Sequence, residues 1–415
     1  MDRLGAEVPP LDRTAVGEGT LRILMLNERD LAHPLAGGVE VHLEEIASRL
    51  HDRHGIETTV LCAGFEGGAA DETRRGIRYL RDGDRGFSYY ARLPGRARRE
   101  LECGGYDLVV ENLCKLLFFS PLYLSGVPRL ALVHHLFGLS AFRQVSVPIA
   151  TYVALTEALL PIAYRSWPFV VVSPSTRDDL VRRGLPRRNI RVIPNGLDHE
   201  RFHPGPLDPR NDLVLFVGRL EHYKGVDVLL EAWPRVLAKR PGARLVLVGA
   251  GSGEAELRRR ASSGGLSASV SFEGFVSEEE KIGWLRRATV LAQPSHKEGW
   301  GLTVLEANAC GTPVVATAVP GLRDSVRDGK TGLLVARGDS AALADGLVRV
   351  LEDPALRAEL ARGALAWARR FRWDDVAAAF ADVATAVAAR RPVPAIDDFL
   401  GDGPEAAPSS RGAGA

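Results

Sequence analysis

The chain has 415 residues, 46% of them hydrophobic and 25% charged, with a net charge of +1. These are the proportions of an ordinary globular protein long enough for two domains. The near-neutral balance gives no electrostatic footprint for nucleic acid or for an anionic surface acting on the whole molecule. Only six of the 53 basic residues are lysines, an arginine bias that, with abundant alanine and glycine, reads as high-GC coding.

The four cysteines, Cys62, Cys103, Cys114 and Cys310, form no Cys-x-x-Cys pair. They imply neither a zinc site nor a disulfide, and read as small buried apolar residues. No apolar run is long enough to span a bilayer. Residues 1–19 carry Asp2, Arg3, Glu7, Asp12 and Arg13 without an apolar core, so they read as a disordered tail, not a signal peptide. A cytoplasmic protein is expected.

Short apolar runs alternate with amphipathic stretches from residue 20 onward. LRILMLN (21–27) predicts a buried strand and residues 39–50 a helix; ETTVLC (57–62), DLVVE (107–111), RLALV (129–133), FVVVS (169–173) and IRVIP (190–194) predict further strands. After HPGPLDPR (203–210) the rhythm restarts with LVLFVG (213–218), ARLVLVG (243–249), SVSFEG (269–274), TVLAQPS (289–295), TPVVA (312–316) and TGLLV (331–335). Continuously apolar strands separated by helices predict parallel sheets covered on both faces. The expected architecture is α/β, with two doubly wound domains facing a cleft. Their bounds are 20–203 and 211–372, joined by a linker at 204–210. A helix over 373–391 then turns back towards the first domain, and 392–415 reads as a disordered tail. Ligands of such sheets bind beyond the carboxyl ends of the strands, which makes the cleft the expected site.

HKEGWGLTVLEANACGTPVVA (296–316) carries the strongest chemical signal. A strand ends near Ser295, a loop holds Glu298, Gly299, Trp300 and Gly301, and a helix should run from Leu302 to about Ala309, stopped by Gly311 and Pro313. Its first N–H groups have no partner inside the helix and suit a phosphate. Helical side chains tilt towards the N-terminus, so Glu306 can reach back to that mouth. Carboxylates accept hydrogen bonds from vicinal diols, so the pair Glu298 and Glu306 fits the hydroxyls of a nucleotide sugar. The plainer alternative is a solvated Glu298 and a Glu306 that only stabilises its helix. In LVLFVGRLEHYKGVDVLLEAW (213–233), Arg219 and Lys224 stand after a buried strand, where two cations can neutralise a pyrophosphate. Solvated basic loop residues are the alternative there.

The spacing Glu-x7-Glu at 298–306 around EGWGL resembles the signature of the family 4 retaining glycosyltransferases of the GT-B fold. GRLEHYKG (218–225), VIPNGLD (192–198), VSPSTRDDL (172–180) and DGKTGLLV (328–335) resemble other blocks of that family, in order, over residues 20–391. The resemblance implies that Arg219 and Lys224 bind the donor pyrophosphate and that Glu298 meets donor-sugar hydroxyls. The backbone of Gly299, Trp300, Gly301 and Leu302 would touch sugar and phosphate, and Glu306 would hold the ribose. LNERDLAHPLAGGVEVHLEEI (26–46) resembles the family's first glycine-rich loop, which puts Gly37 and Gly38 against diphosphate and acceptor. Phe275 and Val276 fall where the family's backbone meets the base. In LALVHHLFG (130–138), His134 aligns with the histidine that meets the donor sugar, and His135 departs from the family's His-Asp on the acceptor side. The implied reaction moves a sugar from a nucleoside-diphosphate sugar to a hydroxyl acceptor with retention, with no cofactor and no metal. A nucleotide-sugar epimerase or a sugar phosphorylase of the same fold is the rival. The donor base, the acceptor and the oligomeric state are left open.

Other signals read as decoys. DGD (82–84) lies among arginines in a turn-like stretch and reads as a solvated loop, not a metal ligand pair. His51 and His54 end a helix without metal-binding company. LVGAGSGE (247–254) imitates a dinucleotide fingerprint, but Glu254 occupies the third glycine position. RLPGRARRE (92–100) reads as a solvated basic face, with contact to anionic lipid or a charged acceptor as the alternative. Phe87, Tyr89 and Tyr90 keep an acceptor lid open as a reading there.

Overall fold

The computed structural model describes residues 20–401 apart from 84–86, 114–116, 139–141, 143–145, 206–211 and 397–398. The tails at 1–19 and 402–415, Cys114, Asp84 and most of the expected linker therefore lie outside the described residues.

The first sheet holds β1 (Arg22–Leu26), β2 (Glu57–Ala63), β3 (Asp71–Arg74), β4 (Ile77–Asp82), β5 (Leu108–Leu113), β6 (Arg129–Val133), β7 (Phe169–Val171) and β8 (Ile190–Val192). Their spatial order is β3-β4-β2-β1-β5-β6-β7-β8, and only β3 runs antiparallel, against β4. The second sheet holds β9 (Leu213–Val217), β10 (Arg244–Val248), β11 (Val270–Gly274), β12 (Val290–Gln293), β13 (Val314–Thr317) and β14 (Gly332–Val335), in the order β11-β10-β9-β12-β13-β14, all parallel. The helices of the first half are α1 (Gly38–His54), α2 (Phe87–Gly104), α3 (Val147–Ala158), α4 (Leu160–Ala163) and α5 (Pro174–Arg182). The second half adds α6 (Val226–Lys239), α7 (Glu254–Ser263), α8 (Glu278–Arg287), α9 (Leu302–Ala309), α10 (Leu322–Ser325), α11 (Ser340–Glu352), α12 (Pro354–Ala368) and α13 (Trp373–Ala388). Fully buried strands such as β5, β9 and β12 are the continuous apolar runs of the sequence, covered on both faces.

α13 follows the second sheet in sequence but completes the first. Trp373, Val376, Phe380 and Val383 are buried with Ile23 and Met25 of β1 and with Leu43, Ile46 and Leu50 of α1. The chain thus crosses between domains twice, near 193–205 and near 369–373. The two crossings lie side by side: the Leu197 N–H donates to the Phe371 carbonyl (2.9 Å), and Leu197 bridges Arg372.

The structure refines or changes several expectations. β3 and β4 were hidden in the sequence by their charge. Arg81, buried in β4, is neutralised by Asp30 and by Glu72 on β3 (2.7 Å). The basic run at 92–100 is part of α2, which carries Pro94 internally and buries Leu93 and Ala97. Tyr89 is no lid: its hydroxyl donates inside the domain to the carbonyls of Asn27 (2.7 Å) and Leu61 (2.8 Å), while Tyr90 packs on Phe118. Cys103 is exposed, unlike Cys62 and Cys310. Part of the stretch expected as a tail is also docked. Val393, Ile396 and Phe399 pack on the first domain's core, and Arg191 donates to the carbonyls of Val393 (2.9 Å) and Pro394 (2.8 Å).

Candidate active site between the two sheets

The carboxyl ends of β1 and β6 in one sheet and of β9 and β12 in the other turn towards each other. After β12, Gln293, Ser295 and Glu298 form a short buried circuit. Glu298 Oε1 accepts from Ser295 Oγ (2.9 Å), from Gln293 Nε2 (3.1 Å) and from Lys224 Nζ (2.5 Å). Lys224 arrives from the turn after β9. Burial alone would raise the Glu298 carboxyl; Lys224, Ser295 and Gln293 outweigh it and hold it below the usual carboxylate range. Burial alone would lower the Lys224 ammonium; Glu298 outweighs it and holds it above 10.5. The pair is a charged, largely buried couple at the mouth of the second domain, its side chains 15% and 12% exposed.

Arg219 stands five residues before Lys224, is exposed and donates to the Tyr223 hydroxyl (2.9 Å). Among the described residues no carboxylate pairs with it, which leaves its charge available to an anion. Gly301 caps α9, whose opening N–H groups have no helical partner. The loop between them is braced by Gly321. That residue has φ of 84°, and a Cβ there would lie 2.6 Å from the Glu298 carbonyl. Only glycine allows this approach.

Glu306 sits on α9 with its carboxylate bound by Lys281 of α8 (3.0 Å). The two glutamates of the signature are therefore each matched to a lysine, Glu298 to Lys224 and Glu306 to Lys281. Trp300 contributes differently: its side chain is buried against Phe371 (ring centroids 5.4 Å apart) and Val172 at the domain junction. Only its backbone is left for a ligand.

The first domain contributes its part through the turn after β6. A Cβ on Gly299 would lie 2.8 Å from the His134 carbonyl and 3.3 Å from His135 Nδ1, so this glycine lets the two domains touch. His134 and His135 divide their roles. The His134 ring is buried against His42 (centroids 4.7 Å apart), and His42 Nδ1 is 2.6 Å from Asn195 Oδ1. Burial drives His134 well below 6.5. For His135, burial first and then Lys297, Lys224 and Arg219, opposed by Glu298, lower it to about 4. Both rings are neutral at pH 7. It is the His135 ring, beside Gly299, that lies among the charges of the second domain's loops, while the His134 ring packs on His42.

The remaining candidates have surroundings of their own. Gly37 caps α1, and its N–H is held by the Glu40 carboxylate (2.7 Å), while a Cβ on Gly38 would meet open space. Phe275, after β11, is 90% exposed, and Val276 packs partly into the second core. The dinucleotide-like loop after β10 packs on the Arg219 turn, with the Gly253 N–H donating to the Leu220 carbonyl (2.9 Å). Asp82 of DGD is 3.6 Å from Arg92.

Sequence reasoning missed Lys281, Lys297, Gln293 and Gly321. A signal for the lysines existed: in a chain that otherwise uses arginine, three of the six lysines, Lys224, Lys281 and Lys297, stand at this site.

Comparison with known proteins agrees with this geometry. Residues 36–201 match the model of Glycosyltransferase Family 4 and residues 199–367 that of Glycosyl transferases group 1. A protein named D-inositol 3-phosphate glycosyltransferase 2, from Catenulispora acidiphila, is 31% identical over 386 residues, 84% of this chain and 90% of that one. The D-inositol 3-phosphate glycosyltransferase of Acidothermus cellulolyticus is 43% identical over 206 residues, 45% of each chain. For that relative and several others the match spans about half of their length. Among solved structures, a sucrose-phosphate synthase from Thermosynechococcus elongatus superposes with a TM-score of 0.74 at 25% identity, covering 87% of this chain and 97% of that one. HepE of Anabaena, in complex with UDP and glucose, superposes at 0.71 with 22% identity, covering 88% and 100%. With matching models over both halves, a relative aligned along nearly its whole length and two facing parallel sheets, the chain belongs to the family 4 glycosyltransferases of the GT-B fold.

Proposed function

We propose that the protein transfers a sugar from a nucleoside-diphosphate sugar to a hydroxyl acceptor, with retention of configuration and without a metal ion. The observation that carries this reading is the buried Lys224–Glu298 couple facing His135 across the cleft, with Arg219 left free beside it. Neighbouring structures described with UDP and UDP-glucose make a UDP-sugar the first donor to test. The relatives' printed name makes D-inositol 3-phosphate the first acceptor to test.

In this reading the diphosphate lies between Arg219, Lys224 and the start of α9. The acceptor oxygen attacks the anomeric carbon on the face from which the diphosphate departs. The carbon–oxygen bond to the phosphate breaks, and its electron pair leaves with the nucleoside diphosphate. A phosphate oxygen takes the acceptor proton, so no side chain need act as base. The protein's task is to stabilise charge developing on the leaving group inside a site that excludes water. Glu298 and the neutral His135 ring hydrogen-bond the sugar hydroxyls, and Glu306 holds the ribose.

A thermal-shift panel of UDP-, GDP-, ADP- and TDP-sugars, with and without magnesium, tests the donor class. One donor should raise the melting temperature independently of metal. Arg219→Ala should keep the fold and lose turnover by about a hundredfold, the effect of removing one charge-stabilising group worth ~3 kcal/mol. Near-normal turnover in that variant, or a response confined to NAD, would overturn the reading.

A further inference from the structure

We propose that α3 and α4 form a docking face for an anionic lipid bilayer. Exposed apolar side chains of this molecule concentrate there. Tyr152, Leu155, Leu159 and Ile162 recur at helical spacing, with Leu155 63% and Ile162 76% exposed, and Val147 (65%) is exposed on a neighbouring face at the start of α3. Leu159, between the two helices, keeps helical dihedrals, so the stripe is continuous. The segment 147–163 contains one charged residue, Glu157, and it is turned inward. Its carboxylate accepts from the N–H groups of Phe137 (2.6 Å) and Gly138 (2.7 Å) and pairs with Arg183 (3.2 Å). The outer surface is left without charge. An uninterrupted exposed apolar face of this kind marks a surface that binds something.

The rim identifies the occupant. Asn189 Nδ2 donates to the Arg165 carbonyl (3.1 Å), which seats the turn 187–189 against the end of α4. Exposed Arg165, Arg182, Arg187 and Arg188 therefore border the stripe. Arg187 is paired with Asp178 (3.3 Å) and Arg182 with Asp179 (3.5 Å); among the described residues neither Arg165 nor Arg188 has a carboxylate partner. Apolar side chains at the centre with arginines at the edge match the acyl boundary and the headgroups of an anionic leaflet. The basic run on α2 is less suited to lipid: Leu93 and Ala97 are buried, Arg96 pairs with Glu100 (3.0 Å) and Arg98 donates to the Tyr123 carbonyl (2.9 Å). Glu157 also ties α3 to the loop after His135, so the docked face would lie beside the acceptor side of the cleft.

Co-sedimentation of the full chain with phosphatidylcholine vesicles, alone or mixed with phosphatidylglycerol, tests this without reference to sugar transfer. The wild type should sediment with the anionic vesicles and less so as salt is raised. Leu155→Asp and Ile162→Asp should each lower partition at least tenfold with an unchanged melting temperature, since both side chains are already in solvent. Arg165→Glu combined with Arg188→Glu should lower it on anionic vesicles, and Arg99→Glu on α2 should not. The proposal is overturned if the wild type stays in solution, or if the variants sediment as it does. A dimer dissolved by Leu155→Asp, with no vesicle binding, would give the face to a second copy instead.

Discussion

Lys297 of the second domain donates a hydrogen bond to the Phe137 carbonyl of the first (2.9 Å), and also reaches the Leu136 carbonyl. From the other side Glu157 accepts the N–H groups of Phe137 and Gly138. The turn that carries His134 and His135 is thus gripped between an ammonium from across the cleft and a carboxylate from its own domain. Lys297→Met should widen the molecule measurably in solution scattering and raise the donor KM more than it lowers the melting temperature.

The same residue gives a pH test with a defined sign. Burial pushes the Lys297 ammonium down to about 8 from its ordinary 10.5. In the unfolded chain it keeps its proton up to 10.5, so between 8 and 10.5 the unfolded state binds more protons and stability rises with pH. The melting temperature of the wild type should therefore gain on that of Lys297→Met as pH is raised through this window. A gap that is flat with pH, or that moves the other way, would show that the ammonium is not buried.

Lys224→Met leaves the Glu298 carboxylate buried without its cation. Removing one partner of such a pair destabilises by about 3–5 kcal/mol, so the melting temperature should fall markedly. Adding Glu298→Gln should restore much of the stability but none of the turnover. Because Glu298 is held below its ordinary range, its contribution is present above that range and is lost as pH falls through its folded pKa. Glu298→Gln alone should accordingly flatten the acid limb of the stability curve.

The ribose role proposed for Glu306 predicts a loss of binding without a loss of catalysis. Glu306→Gln should weaken donor binding by about tenfold to a hundredfold, the range for losing a hydrogen bond to a charged group, and change kcat little. Titration calorimetry with the donor measures it. A variant that binds the donor normally would remove Glu306 from the ribose site.

Gly321→Ala tests the brace under the signature loop. With φ at 84° and a Cβ 2.6 Å from the Glu298 carbonyl, the loop must move or the helix must shift. We expect a loss of stability above the usual ~1 kcal/mol for a point change, together with weakened donor binding. Unchanged donor affinity would mean that the loop adapts without disturbing Glu298.

The sheets were legible because their strands are buried on both faces and are written as unbroken apolar runs. β6 was read to the residue, and β9 and β10 to within one residue at either end. β3 and β4 were not, because DETRRGIRYLRD satisfies its buried Arg81 with its own Glu72 and with Asp30, a residue far off in sequence that no local pattern connects to it. In the site, the two glutamates and two cations were visible as a motif. Their lysine partnerships were not, since Lys281 meets Glu306 only through the packing of α8 on α9. Nor could the sequence show that the His134 ring packs on His42 while the His135 ring lies beside Gly299.

The position of α13 bears on how the chain is made. Trp373, Val376 and Phe380 fill a gap in a core whose other walls, β1 and α1, are synthesised more than three hundred residues earlier. The first domain must then wait on the ribosome with an open apolar groove while the second, closed on itself, can fold as it emerges. The later half is the natural first folder, and a chain interrupted before Trp373 would leave the earlier half as a client for chaperones.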